Sequence, residues 1–90
     1  MKTVYKYEID DGSVESTIKI PRNATILTAQ CQYGRVKIWA FIDTNDNDIV
    51  EKKVYLVGTG NEVPSEKPLI YVSTLQTFAG TQVHHLFIEK

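Results

Sequence analysis

The 90-residue sequence predicts an all-β domain, a single compact antiparallel sandwich or half-open barrel of about seven short strands. Three observations carry that prediction. Apolar and polar residues alternate with a period of two, and no stretch keeps the 3.6-residue spacing of a helix. β-branched and aromatic residues dominate the alternating runs. Gly, Pro, Asn and Asp cluster between the runs, where tight turns need them.

The elements follow in order. "TVYKYEI", residues 3–9, is the first strand, and "DDG" turns the chain after it. "VESTIKI" alternates Val14, Ser16, Ile18 and Ile20 against Glu15, Thr17 and Lys19; Pro21, which has no N–H to donate to a ladder, ends it. "TILTAQCQY" and "RVKIWAFID" are separated by so little that Tyr33-Gly34 reads as a tight hairpin. "DTNDND" is a polar turn into "IVEKKVYLVG". A loop bracketed by Pro64 and Pro68 leads to "LIYVSTLQTF" and "TQVHHLFIEK", which are split at Ala79-Gly80.

Bulk properties narrow the function classes. A chain of this size is one domain, residues 1–90, and buries somewhat over ~60% of its unfolded surface, which makes oligomerisation a reasonable expectation. A net charge of −1 gives no long-range attraction to nucleic-acid backbones or anionic membranes, so no long nucleic acid and no membrane is expected as partner. Cys31 is the only cysteine, which suits a small core residue in a reducing compartment. No run approaches the ~18 apolar residues of a membrane helix, and a cytoplasmic location is expected.

The fourth strand carries the sharpest signal. Val36, Ile38, Ala40 and Ile42 point to the core, so Arg35, Lys37, Trp39 and Phe41 point away from it. Two aromatics beside two cations on that face fit a second packed layer or a subunit interface. They also fit a stacking platform for a planar ligand, with the cations on its phosphate. "VGTGNEVP" lacks the Gly-Lys-Ser/Thr ending of a phosphate-binding P-loop and the third glycine of a dinucleotide fingerprint. Gly58, Thr59, Gly60 and Asn61 remain either a strand exit or a nest of N–H donors for an anion.

Other motifs point to no catalysis. "DTNDND" spaces Asp43, Asn45 and Asn47 like the start of a calcium loop, but Asp48 and Val54 stand where Gly and Glu belong, so a turn is expected. His84 and His85 fall on opposite faces of their strand and cannot both hold one metal from the same side. One of them is expected to be buried and hydrogen-bonded, and His85 is a donor candidate for a ligand. No nucleophile elbow or acid pair stands out, so no enzyme, metal or cofactor is expected.

"KIWAFID", "YLVGTGNEVP" and "TLQTFAGTQVHHLFIEK" together resemble a family of small all-β domains encoded by phages and prophages. The matching positions are Trp39, Ala40, Asp43, Val57 to Gly60, Pro64, Phe78, Gly80, His85 and Phe87; the family pattern has His where this chain has Asn61. The resemblance implies a phage accessory protein. Such proteins include oligomeric sponges that sequester cyclic-nucleotide immune signals without cleaving them. The expected function is therefore non-enzymatic capture of a small, cyclic nucleotide by a homo-oligomer acting against host defence. In that reading Trp39, with Tyr33 or Phe41, stacks on a base and Arg35 and Lys37 neutralise phosphate. Gly58, Thr59, Gly60, Asn61 and His85 supply hydrogen bonds. The alternative is a protein-interaction or virion-associated module that buries Trp39 and Phe41 against a partner.

Overall fold

The computed structural model describes residues 1–9, 13–77 and 82–90. It contains seven strands: β1 (Lys2–Glu8), β2 (Glu15–Pro21), β3 (Thr25–Gln32), β4 (Arg35–Asp43), β5 (Ile49–Gly58), β6 (Leu69–Thr77) and β7 (Gln82–Glu89). All pairings are antiparallel. The strands form a three-stranded sheet, β1-β4-β3, and a four-stranded sheet, β2-β5-β7-β6. The two pack as an open sandwich, in agreement with the expected fold class. The turns expected at "DDG" and at Ala79-Gly80 lie outside the described residues. Among the described residues no helix is long and apolar enough to cross a membrane.

Alternation decides which side chains enter the core. Val36, Ile38, Ala40 and Ile42 of β4 are 0–3% exposed and face Ile18 and Ile20 of β2, Val54 and Leu56 of β5, and Leu86 and Ile88 of β7. Ala29 and Leu75 close the core along the β3–β6 side. There Ser73 Oγ accepts the Ala29 N–H at 3.1 Å and contacts Thr28 Oγ1 at 3.2 Å, so a side chain covers an otherwise unpaired sheet edge.

The turns obey their residues. Tyr33 (φ 52°) and Gly34 (φ 76°) are both left-handed between the paired Gln32 and Arg35, as a two-residue hairpin of the primed type requires. In "DTNDND" the carboxylates serve the backbone: Asp43 Oδ1 accepts Asn45 N–H at 3.0 Å and Asp46 Oδ1 accepts Asp48 N–H at 3.1 Å. Pro21 is tolerated because β2 is an edge strand. Val14, assigned by alternation to the apolar row, is instead 50% exposed, and its carbonyl accepts Leu56 N–H at 2.8 Å just before β2 begins.

One connection is not a local turn. β5 and β6 both run antiparallel to β7, which lies between them. Residues 59–68 must therefore return along the length of the sheet across β7. Lys67 Nζ meets Glu89 Oε2 at 3.4 Å, and Lys90 N–H reaches Pro68 O at 3.2 Å. Glu89 belongs to the outward row of β7, so the strap passes over the outer face. That passage explains why Tyr55 and Val57, outward-pointing residues of β5, are only 3% exposed.

Candidate functional site

The expected site residues divide between opposite faces of the sandwich. Arg35, Lys37, Trp39 and Phe41 lie on the outer face of the three-stranded sheet, alternating with the buried row of β4. Register sets Phe41 between Val4 and Thr25, Trp39 between Lys6 and Thr28, and Lys37 between Glu8 and Gln30. His85 is on the outward row of β7, in the other sheet, and Thr59 is beside it. A single pocket combining Trp39 with His85 is thus not formed, because a hydrophobic core separates them.

The cations of β4 are not free for a phosphate. Arg35 Nη2 meets Glu8 Oε1 at 2.6 Å, and Lys37 Nζ meets Glu8 Oε2 at 2.7 Å. One carboxylate bridges both, and its acidity responds: the Lys37 hydrogen bond, more than the Arg35 charge, holds Glu8 below the usual carboxylate range. Glu8 was legible only as a polar position of the first strand; nothing in its neighbourhood marks it as the partner of residues almost thirty positions away.

The remainder of this face is apolar and open. Val4 is 47%, Leu27 51% and Phe41 42% exposed, and Trp39 is half-buried beside them. A bulge between Ile26 and Thr28 sets Leu27 outside the regular pairing. Lys2 and Lys6 flank the patch on β1, with Lys6 Nζ donating to Gln32 Oε1 at 3.1 Å.

"VGTG" is a strand exit that closes as a β-turn. Asn61 N–H donates to Gly58 O at 3.0 Å, and Gly60 at the third turn position has φ 86°, the left-handed value of a type II turn. Thr59 N–H is taken by Val83 O at 3.3 Å. Of the two alternatives, a strand exit or a nest for an anion, the turn is a strand exit, and two of its amides are committed to backbone carbonyls. The Asn61 side chain folds back so closely that a Cβ on Gly58 would lie 2.9 Å from its Nδ2.

Around this turn the histidines take different roles. His84 follows Leu86 onto the inner face, and its Nδ1 pairs with Thr77 Oγ1 at 2.9 Å. His85 faces out, with Nε2 at 2.7 Å from Thr59 Oγ1 and Nδ1 at 3.0 Å from Thr74 Oγ1. Tyr71 OH extends the chain to Thr74 Oγ1 at 2.7 Å, while its ring packs edge-on against Phe87 with centroids 5.8 Å apart. Both imidazole nitrogens thus face hydroxyls, tying the turn to β7 and β6. The Thr59–His85 pair has the spacing of a hydroxyl and a base, but the group behind the imidazole is the Thr74 hydroxyl, not a carboxylate. Thr74 and Tyr71 were missed because a bulge between Tyr71 and Ser73 shifts the alternation of β6.

An open groove of about 590 Å³ lies at the turn, lined by Gly58, Thr59, Asn61, Gln82, Val83 and His84. Tyr33, 97% exposed, is at the same end of the sandwich. Near that end Ile9 N–H bonds Val36 O in one sheet and Leu56 N–H bonds Val14 O in the other. Among the described residues no group of three His, Cys, Asp or Glu side chains is placed to hold a metal ion.

No curated protein and no solved structure matches the chain. A model of one family matches residues 1–90 throughout, and the chain belongs to that family, the domain of unknown function DUF7352.

Proposed function

We propose that the protein is a non-enzymatic interaction module that captures a protein partner on the outer face of the β1-β4-β3 sheet. The observation that carries this reading is the exposure of Val4, Leu27 and Phe41, with half-buried Trp39, on the outer face of a sheet over which no other described strand packs. Lys2, Lys6, Arg35 and Lys37 outnumber Glu8 and Asp43 around that patch, whereas the whole chain is net −1. Charge complementarity favours an acidic segment with an apolar plug. Nucleic acid fits less well, because Glu8 neutralises Arg35 and Lys37 and two of the patch residues are aliphatic. In keeping with the resemblance to phage and prophage domains, the partner belongs to the host cytoplasm.

The test is capture of partners from host extract by wild type and by Trp39→Ala, Phe41→Ala and Asn61→Ala. A partner lost by the first two substitutions and retained by the third supports the reading. A partner retained by Trp39→Ala and Phe41→Ala refutes it. Light scattering on the same proteins separates self-association from capture of another chain.

A second reading keeps a small cyclic nucleotide as the ligand and moves it to the strand-exit groove. The groove supports it by size and by the polar ends of Thr59, Asn61, Gln82 and His84. A nucleotide bound there raises the melting temperature by mass action, and Trp39→Ala leaves that rise intact. Cyclic di- and trinucleotides that leave the melting temperature unmoved at saturating concentration remove this reading.

A further inference from the structure

At the end of the sandwich away from the Tyr33 hairpin is a cavity of about 360 Å³. Ile20, Ile88 and Ile70 of the four-stranded sheet form one wall, and Ile26 of β3 with Ala24 of the preceding turn form the opposite one. Ile70 belongs to the inward row of β6 by its pairing with Ile88, yet it is 47% exposed because it borders this cavity.

Into this apolar mouth comes Lys52. It lies between Val50 and Val54 on the inward row of β5, pairs in register with Ile18, and is half-buried. Its position on a core-facing row is anomalous for an ammonium. No carboxylate among the described residues is within ion-pair distance of it. The neighbouring Arg22 is already held by Asp48 at 2.6 Å, and Glu89 is engaged by Lys67 and the Lys53 N–H. A half-buried cation facing aliphatic walls is costly unless an anion meets it.

We propose that this cavity binds a small amphipathic organic anion, a carboxylate with a short aliphatic tail. Its head pairs with the Lys52 ammonium at the rim and its tail covers Ile20, Ile26, Ile70 and Ile88. The volume is at the small end of ligand pockets, which suits a short tail and excludes a full-length lipid. The site is on a different part of the molecule from the Trp39 face, so either assignment can fail without the other.

The test uses octanoate, with 1-octanol and octylammonium as charge controls, followed by methyl NMR of the isoleucines and by calorimetry. Octanoate is expected to shift the Ile20, Ile70 and Ile88 methyl signals and to bind more tightly than the other two. Lys52→Met keeps the apolar stem and is expected to weaken octanoate about tenfold or more while leaving octanol unchanged. Ile70→Trp, at an exposed wall position, fills the mouth and is expected to abolish binding of all three. Absence of methyl shifts with octanoate overturns the proposal. So does equal affinity of wild type and Lys52→Met for octanoate, or methyl shifts that survive Ile70→Trp.

Discussion

Ile38 and Phe41 belong to the same strand and differ by facing opposite sides, so replacing each with Ala tests the placement on which the site rests. Ile38 is 0% exposed. Truncation to Ala removes three methyl or methylene groups at about 0.8 kcal/mol each, and the unfilled space adds about 1 kcal/mol, for a cost of about 3–4 kcal/mol. Phe41 is 42% exposed, and water fills the space its ring leaves, so its truncation costs about 1–2 kcal/mol. Against a total of about 5–13 kcal/mol for a chain of this length, the first is a large share. With a urea slope of about 1 kcal/mol per molar, Ile38→Ala lowers the unfolding midpoint by about 3–4 M and Phe41→Ala by about 1–2 M. Midpoints that fall equally, or further for Phe41→Ala, would mean that Phe41 is in a packed layer and that the outer face is not open.

Three further predictions concern the turns and the carboxylates. Tyr33→Asn relieves a left-handed conformation that a bulky residue tolerates poorly, and a gain of about 0.5–1 kcal/mol is expected in thermal unfolding. Gly60→Ala, at φ 86°, goes the other way by about 1 kcal/mol or more; a neutral result contradicts the turn at residues 58–61. Glu8, Asp43 and Glu89 all titrate below the usual carboxylate range, held there chiefly by the Lys37 hydrogen bond, the Asn45 N–H and the Lys53 N–H respectively. A lowered folded-state value means stability that is complete above the unfolded carboxylate range and is lost as pH falls through the folded value. The urea midpoint is therefore expected to drop between about pH 5 and pH 2, and Glu8→Gln to shrink that drop.

The fold was legible because a period-two pattern in a chain with one buried face per strand leaves little choice of register. Four of the six connections between strands follow directly from Pro21, Tyr33-Gly34, the Asp/Asn turn and the paired prolines. Strand order was not legible. Nothing local says that β5 pairs with β2 and β7 while β6 lies beyond, because those contacts join residues far apart in the chain. The site was half legible for the same reason. Alternation placed Trp39 and Phe41 outward and His84 and His85 on opposite faces. It could not show that β4 and β7 are in different sheets, which separates the residues once grouped in one pocket. Nor could it anticipate Glu8 across from Lys37, or the β6 bulge that brings Thr74 beside His85.

Trp39 is the only tryptophan in the chain, so a single fluorine label on its indole reports on the proposed face alone. Fluorine NMR of the labelled protein, titrated with its captured partner, therefore reads out whether the outer face of the β1-β4-β3 sheet is the binding surface. The one resonance is expected to shift or broaden to saturation with the partner and to stay in place with cyclic di- and trinucleotides. A resonance unmoved by a partner that binds, or one displaced by nucleotide instead, contradicts partner binding on that face.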